Sequence, residues 1–172
     1  MMVQEELKKL GLKYVVVELG VVEILEDITA DQHKQLKENL LKSGLELLDD
    51  KKAILIEKIK NVITEMIHYS DELPKENNSD YISKKLGYDY TYLANIFSEV
   101  SGTTIQQHII VHKIEKVKEL ILYNELSLTE ISYRLHYSSV GHLSNQFKKV
   151  TGLSPSFYKK LKKKRNENLE NV

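Results

Sequence analysis

The chain contains no cysteine. That excludes disulfides and thiolate metal sites, and it fits a cytoplasmic protein. No apolar run approaches the roughly 20 residues that a membrane-spanning helix needs; the run Tyr14-Val15-Val16-Val17 is broken at once by Glu18. The start, Met1 to Glu6, is acidic and polar, the wrong charge for a secretory signal. A Gly-rich phosphate loop, a His-Glu-x-x-His pair and a cysteine nucleophile are also missing, so neither an enzyme activity nor a cofactor is expected. What is present is an ordinary globular balance of 41% hydrophobic and 29% charged residues in 172. This is enough for one medium domain or two small ones.

A net charge of zero conceals segregation. Residues 1–78 hold 11 Lys/Arg against 16 Asp/Glu, and residues 79–172 hold 14 against 9. An acidic half joined to a basic half suggests that only the second meets a polyanion. A basic tail is the alternative source of that bias, because six of the 14 positive charges fall between Lys159 and Arg165.

The second half also contains a repeat. Ile82-Ser83-Lys84-Lys85-Leu86-Gly87-Tyr88 shares Ile, Ser, Leu and Tyr with Ile131-Ser132-Tyr133-Arg134-Leu135-His136-Tyr137. With one residue inserted after Tyr137, Leu93, Asn95, Phe97, Val100 and Gly102 pair with Leu143, Asn145, Phe147, Val150 and Gly152. A duplicated supersecondary unit is the natural reading. In the first copy Ser79 or Asp80 is expected to cap a helix burying Ile82 and Leu86, with Gly87 as a left-handed turn residue. Asp89 then caps a helix that presents Leu93, Ile96, Phe97 and Val100 on one face. In the second copy Ser127 caps a helix burying Leu128, Ile131 and Leu135. Ser138 or Ser139 caps the next, which buries Leu143, Phe147 and Val150. Two short helices around a tight turn, the second with an apolar back, match the helix-turn-helix architecture.

Between the copies, Ile105, Ile109, Ile114, Val117, Leu120 and Ile121 predict a helix over 105–123, about 28 Å long. Half-sites one turn of DNA apart lie roughly 34 Å from centre to centre. The linker is therefore suited to hold two recognition helices in successive major grooves.

Leu86-Gly87-Tyr88, Tyr92-Leu93, Phe97 and Gly102, then Lys113-Ile114-Glu115-Lys116-Val117 and Leu120, then Ile131, Leu135 and Phe147-Lys148-Lys149 form one ordered set. The set ends in Gly152-Leu153-Ser154-Pro155 and Tyr158-Lys159. It resembles the DNA-binding domain of the AraC/XylS family of bacterial transcription regulators, from the helix before Tyr69 to Lys159. The resemblance implies a bihelical DNA reader that regulates transcription at promoters. Its partners would be double-stranded promoter DNA and RNA polymerase, with a homodimer formed through the N-terminal half. His136 stands where the family usually has glycine, Lys113 and Val117 where it has arginine and alanine, and Leu143 where phenylalanine is common.

Opposite the buried stripes lie the candidate base readers Thr91, Asn95 and Ser98 on the first recognition helix and Asn145 on the second, with His142, also a candidate base reader, at the side of that helix. Asn can pair with an adenine edge, and hydroxyls serve several bases. Tyr92, Ser138, Ser139, Lys148, Lys149 and Lys159 are the candidate phosphate contacts, which position without specifying. Gly141 offers no side chain, so the first motif is expected to read bases and the second chiefly to anchor. His108 and His112 stand four apart on the linker helix, but no third ligand is evident, so they are read as surface or interface residues and no metal is expected.

The N-terminal half is read as a small α/β module over 1–50. Val3–Leu10 is a helix, 12–19 and 21–26 form a hairpin around Gly20, and Thr29 caps a helix from Ala30 to Ser43 closed by Gly44. Leu45–Leu48 is a third strand. This order resembles the latter part of a ferredoxin-like domain of the heavy-metal-associated type; the Cys-x-x-Cys loop and preceding strand are missing, so no metal site is carried over. The fold class is thus α+β, an αββαβ module followed by an all-α tandem helix-turn-helix domain. Residues 51–70 form a connecting helix, also the first helix of the DNA-binding domain. Residues 71–160 hold the two motifs and 161–172 a basic tail, solvated and frayed. On the connecting helix, Leu55, Ile59, Val62, Met66 and Tyr69 have coiled-coil spacing. Packing on the adjacent sheet, with Ile56 and Ile63 widening the stripe, is the expected arrangement. Two other functional classes fit the same elements: an adaptor that uses helix-turn-helix folds to bind protein, and a ligand or metal sensor with residues 1–50 as receptor.

Overall fold

The computed structural model describes residues 2–18, 20–48 and 51–170. Leu19, at the end of the expected first strand, and Asn171 and Val172, at the end of the expected tail, lie outside the described residues. The chain divides into two compact units, residues 1–50 and 51–172.

In the first unit α1 (Met2–Lys9) is followed by β1 (Tyr14–Glu18), β2 (Val21–Ile24) and α2 (Ala30–Lys42). The strands pair antiparallel, Tyr14 opposite Ile24 and Val16 opposite Val22, with an irregularity between Val16 and Glu18. Thr29 starts α2 through a reciprocal cap. Its hydroxyl accepts the Gln32 N–H at 3.2 Å, and its own N–H donates to Gln32 Oε1 at 3.0 Å. The Gln32 amide also donates to the Leu10 carbonyl at 3.3 Å. Glu6 on α1 accepts from Lys9 at 2.7 Å and from Asn39 on α2 at 2.9 Å. These bonds, Lys9 foremost, hold the Glu6 carboxyl below its ordinary range. The core is small: Leu7, Leu12, Leu36 and Leu40 are buried, flanked by half-buried residues such as Tyr14, Val22 and Ile28.

The expected third strand does not form. After α2 the Leu45 N–H donates back to the Leu40 carbonyl across Gly44 (φ +77°), and residues 45–48 continue without a ladder partner. The described sheet has two strands, so the ferredoxin-like arrangement is not reproduced. Leu45 is 41% exposed. A strand needs a free edge to pair with as well as apolar content, and local content alone suggested one here.

The second unit is helical: α3 (Lys51–His68), α4 (Asn78–Leu86), α5 (Tyr90–Ser101), α6 (Ile105–Tyr123), α7 (Leu128–Arg134), α8 (Val140–Thr151) and α9 (Pro155–Glu170). Helix α6 is the central strut. Its Ile105, Ile109, Ile114, Val117, Leu120 and Ile121 are all buried, and it packs on α3, α5, α7, α8 and α9. The apolar stripe of α3 corrects the expected packing on the sheet. Leu55, Ile56, Ile59, Ile63, Met66 and Ile67 join one core with α4, α5 and α6. The coiled-coil reading fails for the same reason, since its seam is used internally and Tyr69 is 81% exposed. Burial of each large aliphatic side chain contributes about 1.5–3 kcal/mol, so the stripe commits α3 to this core. The basic segment after Lys160 is helical to Glu170 rather than frayed. No helix among the described residues is long and apolar enough to cross a membrane.

Candidate DNA-binding surface

The first motif is α4, a turn and α5. Asn77, not Ser79 or Asp80, caps α4, accepting the Asp80 N–H at 2.9 Å and the Ser79 hydroxyl at 2.8 Å. The helix therefore begins earlier than a cap at Ser79 or Asp80 would place it, because Asn is as good a cap as Ser or Asp and stands before both. Gly87 closes α4 in the left-handed conformation at φ +71°. The Ser83 hydroxyl donates to the Tyr88 carbonyl at 2.5 Å, which fixes the turn. Asp89 accepts the Thr91 N–H at 2.9 Å and caps α5. Leu93, Ile96 and Phe97 face the core, and Leu86 is half-buried. Thr91, Tyr92, Asn95 and Ser98 are exposed on the outward side, with the Tyr92 ring stacked on Tyr88 at 5.6 Å.

The second motif is α7, a turn and α8. Ser127 and Glu130 form a reciprocal cap at 3.2 and 2.7 Å, and the Ser127 N–H holds the Glu130 carboxyl below its ordinary range. The turn is a Schellman motif: His136 N–H donates to Tyr133 O at 3.1 Å and Tyr137 N–H to Ser132 O at 2.8 Å. His136 accordingly sits at φ +57°. Of the two candidate caps, Ser139 is the one used, accepting the His142 N–H at 3.0 Å. Leu143 and Phe147 are buried. Val100 and Val150, expected in the buried stripes, are 48% and 37% exposed. In both motifs burial stops one turn before the helix ends. His142, Asn145, Lys148, Lys149, Ser138 and Ser139 are exposed. Lys159 lies on α9, at a groove of about 340 Å³ that also touches Ile121, Leu128 and Ile131.

Three arrangements were not visible in the sequence. The Tyr137 hydroxyl donates to Gln146 Oε1 at 2.7 Å, and burial pushes its pKa up to about 12. The Lys113 ammonium, held below its ordinary range by burial, stands 5.1 Å over the same ring. This lysine on the linker helix thus braces the turn before α8. Inside the α3–α6 contact, His68 Nε2 and His112 Nδ1 share a hydrogen bond at 2.9 Å. His108 lies 4.5 Å from His112 and 5.6 Å from Phe97, ring to ring. Burial lowers all three imidazole pKa values. His108 and His112 are therefore interface residues. Among the described residues no group of three His, Asp or Glu is placed to hold a metal ion. Only His108 and His112, four apart on one helix, had a local signal; His68 is 44 residues away from His112.

Residues 82–161 match a family described as a helix-turn-helix domain. The chain is 25% identical over 105 residues to the uncharacterised HTH-type transcriptional regulator YtdP of Bacillus subtilis, covering 60% of this chain and 14% of that protein. It is 30% identical over 98 residues to the xylose operon regulatory protein of Escherichia coli, covering 57% and 25%. The chain thus spans well under two thirds of the length of either relative. Among solved structures, the C-terminal domain of AraT, a response regulator from Geobacillus stearothermophilus, superposes with a TM-score of 0.54 at 21% identity, covering 65% of this chain and 88% of that one. The DNA-binding domain of AdpA in complex with a target DNA superposes at 0.52 with 17% identity, covering 64% and 94%. Both likenesses establish the fold of the second unit.

Proposed function

We infer that this chain, whose residues 82–161 match a helix-turn-helix domain family, is a sequence-specific transcription regulator of the AraC type that reads two successive major grooves. The observation that carries this reading is the pairing of two recognition helices, each with an exposed polar face, across one rigid linker of 19 residues. Thr91, Asn95, Ser98, His142 and Asn145 read base edges. Tyr92, Ser138, Ser139, Lys148, Lys149 and Lys159 contact phosphates. Likeness to one protein named as an HTH-type transcriptional regulator and to another named as an operon regulatory protein supports the assignment to promoters, and RNA polymerase is the partner such a role requires. Residues 1–50 would supply a dimer contact or a receptor, and their small core of four buried leucines favours a docking module over a ligand pocket.

The test is binding of the full chain to duplexes selected from a random pool. Asn95→Ala and Asn145→Ala should each erase preference at a different position and weaken the selected site about 10-fold, as expected for loss of one good base contact. Insertion of five base pairs between the two half-sites, half a turn of DNA, should abolish two-groove binding. Unchanged preference in both variants refutes the reading face. Absence of salt-dependent duplex binding refutes the regulator reading in favour of an adaptor.

A further inference from the structure

On that reading, we propose that His142 is a dedicated hydrogen-bond donor that selects guanine at one position of the site. His142 occupies the first turn of α8, the part of a recognition helix that reaches base edges. Its Nδ1 faces Ser138 and lies 3.4 Å from the Ser138 backbone nitrogen and 3.0 Å from the Ser138 hydroxyl. A backbone N–H can only donate, so Nδ1 must present its lone pair. The proton of the neutral ring is therefore on Nε2, the nitrogen farther from the backbone. The Tyr137 ring meets the imidazole edge-on at 5.2 Å and 79°, which restrains its plane. Tyr137 is itself held by Gln146 and Lys113. The turn thus aims a fixed donor.

Gly141 gives this donor its reach. Its φ is not positive, and an added Cβ would meet nothing nearer than Ser139 Oγ at 3.7 Å, an ordinary contact. The fold does not require glycine there. Omitting a side chain beside His142 lets the backbone approach a groove closely. Of the four bases, guanine alone offers two adjacent acceptors, N7 and O6, on its major-groove edge. Adenine sets its N6 amine beside N7, thymine offers O4 alone next to a methyl group, and cytosine presents only an amine, so a fixed donor ranks guanine first and rejects cytosine outright.

Selection from a random pool with the full chain should show guanine at one position in the half-site of the second motif. His142→Ala should level that position and leave the others intact. His142→Gln, which keeps a donor and frees an acceptor, should admit adenine. Replacing that guanine by 7-deazaguanine should weaken wild-type binding about 5-fold, as for one lost hydrogen bond, and leave His142→Ala unaffected. Nitrogen-15 spectra of the free protein should show the neutral ring protonated at Nε2. Three results overturn the proposal: uniform weakening on all sequences by His142→Ala, preference for another base at the levelled position, or a proton on Nδ1. None of these touches the regulator reading, which fails separately if the wild-type chain selects no sequence; that outcome overturns guanine selection as well.

Discussion

Replacing His136 by glycine is expected to stabilise the helical unit while leaving its DNA affinity unchanged. His136 is held at φ +57° by the two turn hydrogen bonds that close α7. For a residue with a Cβ, that conformation costs roughly 1–2 kcal/mol, through crowding against the following carbonyl. Histidine tolerates it better than branched residues, which places the cost near the lower end. Glycine removes this strain but enlarges the entropy of the unfolded chain, offsetting about 0.4–1 kcal/mol. The His136 side chain is exposed, so little packing is lost. The net gain is about 0.5 kcal/mol. His136→Val is the opposing control, because a β-branched residue there should cost about 1–2 kcal/mol more than histidine. Urea unfolding of the full chain, followed by helical circular dichroism, reads both. At a slope of about 2 kcal/mol per molar, glycine should raise the midpoint by about 0.25 M and valine lower it by about 0.5–1 M, the slope staying constant. A glycine variant at or below wild type, or a valine variant no worse than it, refutes the argument that this turn is strained.

Two further outcomes follow from the charges. His68, His108 and His112 are held neutral by burial in the α3–α6 contact. Lys116 opposes protonation of His68, His112 and Lys60 oppose that of His108, and His68 opposes that of His112, while Glu119, Glu115 and Glu57 each favour it more weakly. Because their folded pKa values lie below the ordinary 6.5, the unfolded chain binds more protons as pH falls, and stability is lost progressively from 6.5 downward. The lowered carboxylates Glu6 and Glu130 act only from 4.5 downward. The urea midpoint should therefore already fall between pH 7.5 and 5; a flat midpoint over that range contradicts the neutral cluster. Lys148→Ala and Lys149→Ala should each reduce the slope of log affinity against log salt by about 1 and weaken all sequences alike, as measured by titrations at several salt concentrations. A change in sequence preference would instead make either lysine a base reader.

The parts of the fold that could be read in advance are those whose cause is local. Thr29, Asp89 and Ser127 cap helices where an oxygen side chain precedes an apolar period. The six apolar positions of α6 are buried, and that helix ends where its periodicity ends. The errors concern partners. The period of α3 announces a buried stripe but not which surface receives it, and Leu45–Leu48 announces apolar residues but not whether an edge awaits them. Distant pairs such as His68 with His112 and Lys113 with Tyr137 leave no trace in spacing, because tertiary structure alone brings them together.

The same distinction bears on the unequal roles expected of the two motifs. From sequence, His136 and Gly141 make the second motif look like an anchor, since one is strained and the other bare. The strain, however, is confined to the backbone of an exposed turn, and Gly141 stands where the fold would accept a side chain. A position left empty without structural need is better explained by what approaches it than by weakness. Beside it, His142 is oriented by Ser138 and Tyr137, whereas in the first motif no side-chain hydrogen bond to Asn95 or Ser98 is found among the described residues. Orientation before binding lowers the entropy lost on contact. A preorganised donor should therefore discriminate bases more sharply than a free amide of equal chemistry, so the proposed role of His142 predicts that selection from a random pool finds the second half-site as sharply specified as the first; a second half-site without base preference would return that motif to a purely anchoring role.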